Sequence, residues 1–145
     1  MEPLGDLRLE PLPGEMPRAL ARRGAECWEV AGVIAEAAWA VDDATLLLAS
    51  TDDIPQEDAL HLSLLEPSGT VESVTLGAAY TTGNFRVLEA SGNRLVFEFF
   101  GGAPWCLTVL PAPVWRWPLS DPRGVSRTGG WKSRLRIAVL PRPGA

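Results

Sequence analysis

Two stretches of the chain, Leu60–Gly77 and Asn84–Gly101, alternate apolar and polar residues. In the first, Leu60, Leu62 and Leu64 share one parity, while His61 and Ser63 share the other. In the second, Leu95, Phe97 and Phe99 oppose Arg94, Val96 and Glu98. Successive side chains of a strand point to opposite faces, so each arm has one face suited to a core. Pro67-Ser68-Gly69 and Ser91-Gly92-Asn93 supply turn chemistry, because proline presets φ and glycine or asparagine accepts positive φ. Each stretch therefore predicts a hairpin. Both carry Leu-Glu-x-Ser-Gly at the turn, starting at Leu65 and Leu88. Two copies are too few for a repeat array, so the expectation is two ordinary hairpins of one meander.

The remaining pattern adds short elements. Leu7–Glu10 reads as a strand between prolines. Glu15–Arg23 reads as a two-turn helix, with Pro17 in its first turn, alanines within, arginines at its C-terminal end and Gly24 as its stop. Cys27–Ala31 is a strand with Trp28 and Val30 on one face. Val33–Val41 fits both periods, but Asp42-Asp43-Ala44 turns directly into the strand-like Thr45–Ser50, which favours a strand. Pro104–Leu110 is apolar on both faces, as a covered central strand would be. Pro111 and Pro113 make Val114–Trp117 an edge strand or extended connection, and Ser126–Gly130 a loop follows. Trp131–Leu140 closes the series, with Leu135, Ile137 and Val139 facing in and Arg134 and Arg136 facing out. Eight or nine short strands predict one all-β domain. It is an antiparallel meander closing into a small barrel or a two-sheet sandwich, with at most one short N-terminal helix.

Composition sharpens this picture. Fourteen glycines, 13 prolines and 6 tryptophans in 145 residues suit short strands and tight turns better than a helical bundle. The N-terminus has no basic segment followed by an apolar run, and no stretch approaches the roughly 20 apolar residues that span a bilayer. The expectation is a cytoplasmic protein without a membrane partner. Cys27 and Cys106 form no metal-binding or redox spacing and read as plain buried thiols.

Charge is unevenly laid out within the net −5. No lysine or arginine lies between Gly24 and Phe85, a span holding eleven acids. From Pro111 onward seven cations face only Asp121. Such asymmetry points to an acidic docking face for a basic protein partner, of the kind an inhibitor or immunity protein uses. Its candidate residues are Asp42, Asp43, Asp52, Asp53, Glu57 and Asp58. An acidic chain is poorly matched to nucleic acid.

Other chemistry is thin. His61, the lone histidine, lies two residues from Ser63 and just after an acidic loop, but no nucleophile elbow accompanies it; it reads as an exposed side chain on the solvent face of a strand. The acids of 52–58 lack the spacing of a calcium loop and read as a solvated loop. Trp105, Trp115, Trp117 and Trp131 are interleaved with Arg116 and Lys132, a combination that lines pockets for small anions or sugars. Against that use, Trp115 and Trp117 share a parity opposite Arg116, which predicts tryptophans in the core and arginine in solvent. Tyr80, the single tyrosine, sits in a polar stretch between the hairpins and joins them as a lip of such a pocket. No phosphate loop, dinucleotide fingerprint or zinc ligand set is present, so no cofactor is expected. The expectation is a non-enzymatic protein-binding module, with a small-molecule-binding β-barrel carrying a Trp/Arg-lined pocket as the alternative.

Overall fold

A computed structural model of the chain describes residues 1–54, 58–69, 71–77, 83–117, 120–128 and 131–141. Thirteen strands appear among them: β1 (Glu2–Pro3), β2 (Arg8–Pro11), β3 (Arg18–Arg23), β4 (Glu26–Ala31), β5 (Ile34–Ala40), β6 (Leu46–Thr51), β7 (Leu60–Leu65), β8 (Val71–Leu76), β9 (Arg86–Ser91), β10 (Arg94–Glu98), β11 (Trp105–Trp115), β12 (Val125–Arg127) and β13 (Lys132–Val139). All pairings are antiparallel, and no helix occurs among the described residues. No helix is therefore long and apolar enough to cross a membrane.

The strands form three open sheets rather than a closed barrel. A six-stranded sheet runs β1-β5-β6-β7-β8-β12, a four-stranded sheet β13-β11-β10-β9, and a three-stranded sheet β2-β3-β4. The six-stranded sheet is the middle layer. On one face Leu47, Leu60, Leu62, Leu64, Val74 and Leu76 meet Leu95, Phe97, Trp105, Leu107 and Leu135 of the four-stranded sheet. On the other face Leu46, Leu48 and Leu65 meet Ala19, Ala21, Trp28 and Val30 of the three-stranded sheet. Every residue of β6 and β7 is consequently buried. Covering both faces buries Ser50 and Thr51 of β6 and His61 and Ser63 of β7 along with the leucines.

The expected helix over Glu15–Arg23 is instead β3. Its alanines have high helix propensity, yet Ala19 and Ala21 are fully buried against the middle sheet, while its arginines pair with acids of neighbouring segments: Arg18 with Glu29 of β4, Arg22 with Glu10 of β2 and Arg23 with Asp6 ahead of β2. Tertiary pairing overrides a weak local preference. Gly24, read as a helix stop, has φ 58° and opens the two-residue turn between Arg23 and Glu26. The left-handed conformation is the same; its use differs.

The two predicted hairpins are present as β7–β8 and β9–β10, but in different sheets, facing each other across the larger core. They are not neighbours in one meander. Leu65 of the first Leu-Glu-x-Ser-Gly ends a strand, whereas Leu88 of the second lies inside one, so the shared motif has no shared geometry. The expected strands Pro104–Leu110 and Val114–Trp117 are joined in the long β11, which begins at Trp105 and ends at Trp115. The pairing of β11 with β13 shifts register between Val109 and Val114, where Pro111 and Pro113 need no ladder donor. Part of the expected loop at Ser126–Gly130 is β12, paired with β8. Val139, expected to face in, is exposed at 44%. Cys106 is buried, but Cys27 is exposed, and both thiols are free.

Candidate functional site

The long β11 changes character at its bulge. Trp105, Leu107 and Val109 lie in the main core, whereas every residue from Pro111 to Trp115 is exposed. Past the bulge, β11 and β13 project together: Trp115 pairs with Lys132, and the Arg116 amide donates to the Trp131 carbonyl at 2.9 Å. Trp115, Trp117 and Trp131 are exposed at 72%, 79% and 60%. With Arg116 they line one cleft of about 410 Å³. Lys132 Nζ lies 5.1 Å from the centroid of the Trp115 ring, a cation–π distance. Alternation thus operates in the opposite sense to that expected. The tryptophans point out, and Arg116, whose side chain is 18% exposed, turns in.

Next to this cleft lies a second concavity of about 290 Å³, which shares Trp115 and Arg116 with it and is lined by apolar residues such as Val114 and Ile137 together with Ser120, Asp121, Arg127 and Ser133. Asp121 clamps Arg127 with both oxygens, at 2.6 Å to Nε and 2.8 Å to Nη2. Arg127 Nη1 donates onward to Ser133 Oγ at 2.9 Å and to the Leu135 carbonyl. Ser133 Oγ in turn donates to Glu72, which also accepts from the amides of Arg134 and Leu135. This chain of bonds ties the edge of the middle sheet to β13. Its members are unremarkable as single residues in the sequence, since they are brought together only where β8, β12 and β13 meet.

Of the sequence-predicted pocket residues, Trp115, Arg116, Trp117 and Trp131 converge. Trp105 does not: it is 3% exposed in the main core, with its Nε1 donating to the Phe100 carbonyl at 3.3 Å. Tyr80 lies outside the described residues.

The acidic candidates fall at both ends of β6. Asp42 and Asp43 sit at the turn before β6, while Asp52, Asp53 and Asp58 lie after it; Glu57 is outside the described residues. Asp42 Oδ1 accepts from the amides of Ala44 and Thr45 at 2.8 Å each. Those bonds, the Ala44 amide first and aided by the Arg134 charge, hold its carboxyl below the ordinary aspartate value. Asp58 Oδ1 accepts from the Asp52 amide. Asp43 and Asp53 are exposed. Arg134, expected to face solvent, reaches Glu66 at 3.0 Å and Asp42 at 3.9 Å, so the basic end of the chain neutralises part of the acidic span within the fold.

His61 is likewise not on a solvent face. It is 7% exposed, with Nε2 2.6 Å from Asp52 Oδ1 and Nδ1 2.8 Å from Thr75 Oγ1. The middle sheet buries this face against the three-stranded sheet, which the alternation of β7 alone does not reveal. Both ring nitrogens are engaged, as a buried imidazole requires. Ser63 is fully buried on the same face, and its Oγ has no hydrogen-bond partner among the described residues. Among the described residues, no three histidine, cysteine, aspartate or glutamate side chains gather in a way that would hold a metal ion.

Comparison with protein-family models, with curated proteins and with solved structures finds no match to this chain.

Proposed function

We propose that this protein is a non-enzymatic binding module whose ligand surface is the tryptophan cleft, and that its ligand presents a flat, C–H-bearing ring face, as a sugar does. One observation carries this reading. The chain buries Trp28, Trp39 and Trp105 in its two cores, yet leaves Trp115, Trp117 and Trp131 exposed around a single concavity. A clustered apolar surface of this kind, unlike a scattered one, marks an interaction site. Tryptophan suits a half-wet ligand, because its ring is apolar and its N–H remains available at the edge. A sugar ring has matching faces: C–H groups stack on indole while hydroxyls stay hydrated.

Titration of the intrinsic tryptophan fluorescence with neutral and acidic oligosaccharides tests this. A saturable emission change, lost in Trp117→Ala and Trp131→Ala, is expected. No change with any sugar up to millimolar concentration overturns the reading.

A second reading, docking of a basic protein partner, is favoured by the exposure of Asp43 and Asp53 at the two ends of β6. Reversing both to lysine is then expected to abolish a salt-sensitive complex captured with the wild-type protein. An unchanged complex removes these acids from the interface.

A further inference from the structure

We propose that β9 pairs antiparallel with β9 of a second copy of this chain, about a two-fold axis, joining their four-stranded sheets edge to edge. The pairing stands whether or not the tryptophan cleft is a ligand surface.

β9 is an edge strand, with β10 on one side and no strand on the other among the described residues. An edge presents backbone donors and acceptors that can template a further strand. Proteins guard such edges with lysine, proline, brevity or cover. β13, the opposite edge of the same sheet, carries Lys132, Arg134 and Arg136, and Glu72 accepts from its Arg134 and Leu135 amides. β2 holds Pro11, and β12 has only three residues. β9 has neither lysine nor proline, and its Val87 and Leu88 are exposed at 39% and 44%.

The register of β9 on β10 makes this edge self-complementary. It shifts by one residue at Leu88: Glu89 lies opposite Val96, Val87 opposite Phe97 and Arg86 opposite Glu98. Cross-strand partners share a face. Leu95 and Phe97 face the core, so their partners Ala90 and Val87 do as well, and Arg86 and Glu89 share the outer face. In a regular strand two residues three apart point to opposite faces; the extra residue of the bulge brings these two to one. With the two-fold axis between Val87 and Leu88, Arg86 of each copy falls opposite Glu89 of the other. Val87 then meets Leu88, and Phe85 meets Ala90. A two-fold contact repeats every pair, so two Arg–Glu pairs form and the exposed apolar side chains cover one another. Arg86 also meets Glu98 of its own chain at 3.1 Å, and its guanidinium has N–H groups for both acids. β4 and β5 are open along part of an edge too, but their only charged residues are Glu26, Glu29 and Glu36. Pairing either with its copy brings together acids alone, whereas opposite charges across β9 attract.

Sedimentation equilibrium of the full chain over about 1–300 µM reads the association, a range suited to a small interface. A monomer–dimer equilibrium is expected. Arg86→Glu and Glu89→Arg, each alone, set like charges across the axis and are expected to weaken the dimer about ten-fold. The two changes together restore opposite charges and are expected to restore the dimer, which no general damage to the fold would do. Leu88→Lys, placing a charge at the centre of the contact, is expected to be monomeric. Trp117→Ala is expected to dimerise like the wild type, which separates this edge from the exposed indoles. A chain that stays monomeric throughout, a dimer indifferent to the single reversals or to Leu88→Lys, or a double variant no tighter than the single ones overturns the pairing.

Discussion

Replacing Trp117 by alanine and replacing Trp105 by alanine should have very different effects on stability. Trp117 is 79% exposed and Trp105 3% exposed. An indole side chain presents roughly 200 Å² to solvent, so folding covers about 40 Å² of it at Trp117. At about 25 cal/mol per Å², that is about 1 kcal/mol lost in Trp117→Ala. At Trp105 nearly the whole side chain is covered. The same coefficient yields about 5 kcal/mol, in line with the roughly 3–5 kcal/mol typical of large-to-small core substitutions. Urea unfolding followed by far-ultraviolet circular dichroism separates the two without depending on indole fluorescence. The slope of the transition should remain similar, with the midpoint falling far more for Trp105→Ala. A Trp117→Ala loss above about 3 kcal/mol would mean that this indole is packed in solution, and the case for a ligand-facing cluster would collapse.

Other outcomes follow from the same geometry. His61→Ala removes a buried ring that bonds Asp52 and Thr75 and should cost about 1–3 kcal/mol for the polar partners left behind; a double-mutant cycle with Asp52→Ala should show coupling above about 0.5 kcal/mol, and additivity would deny the pair. Asp42→Ala should destabilise the fold at neutral pH. Because the Asp42 carboxyl is held below its ordinary value in the native state, its contribution is complete above that value and lost as pH falls through the depressed one. Unfolding curves at a series of acidic pH values should therefore converge for wild type and Asp42→Ala, and a gap that widens toward acid contradicts the assignment. Gly32→Ala places a methyl 2.7 Å from Ser50 Oγ at φ 88°, so it should cost more than about 1 kcal/mol, and a neutral result would show that β4 and β5 relax more readily than the packing implies.

Much of the architecture was legible in local pattern. Leu60, Leu62 and Leu64, and Leu95, Phe97 and Phe99, lie in the core as their alternation requires, because strand geometry ties parity to face. Alternation also located Trp28 and Val30, and turn chemistry located both hairpins. The clustering of Trp115, Arg116, Trp117 and Trp131 was legible too, since they lie close together in the chain. What local pattern cannot supply is which face of a strand meets which layer. Ala19 and Ala21 became strand residues because the middle sheet offered them a surface, a contact between segments far apart in sequence. His61 is buried for the same reason, under a third sheet that covers its face. At Trp115 and Trp117 parity was read correctly and direction was not, because the bulge between Val109 and Val114 carries that end of β11 past the core. The pairing of Arg127 with Asp121, which Arg116 also approaches at 3.5 Å, is likewise a property of strands meeting that are apart in the chain. In this chain the residues themselves determined strands, turns and the chemical character of the site. Only tertiary packing decided which side chains are covered, because burial depends on the neighbour opposite and not on the neighbours along the chain.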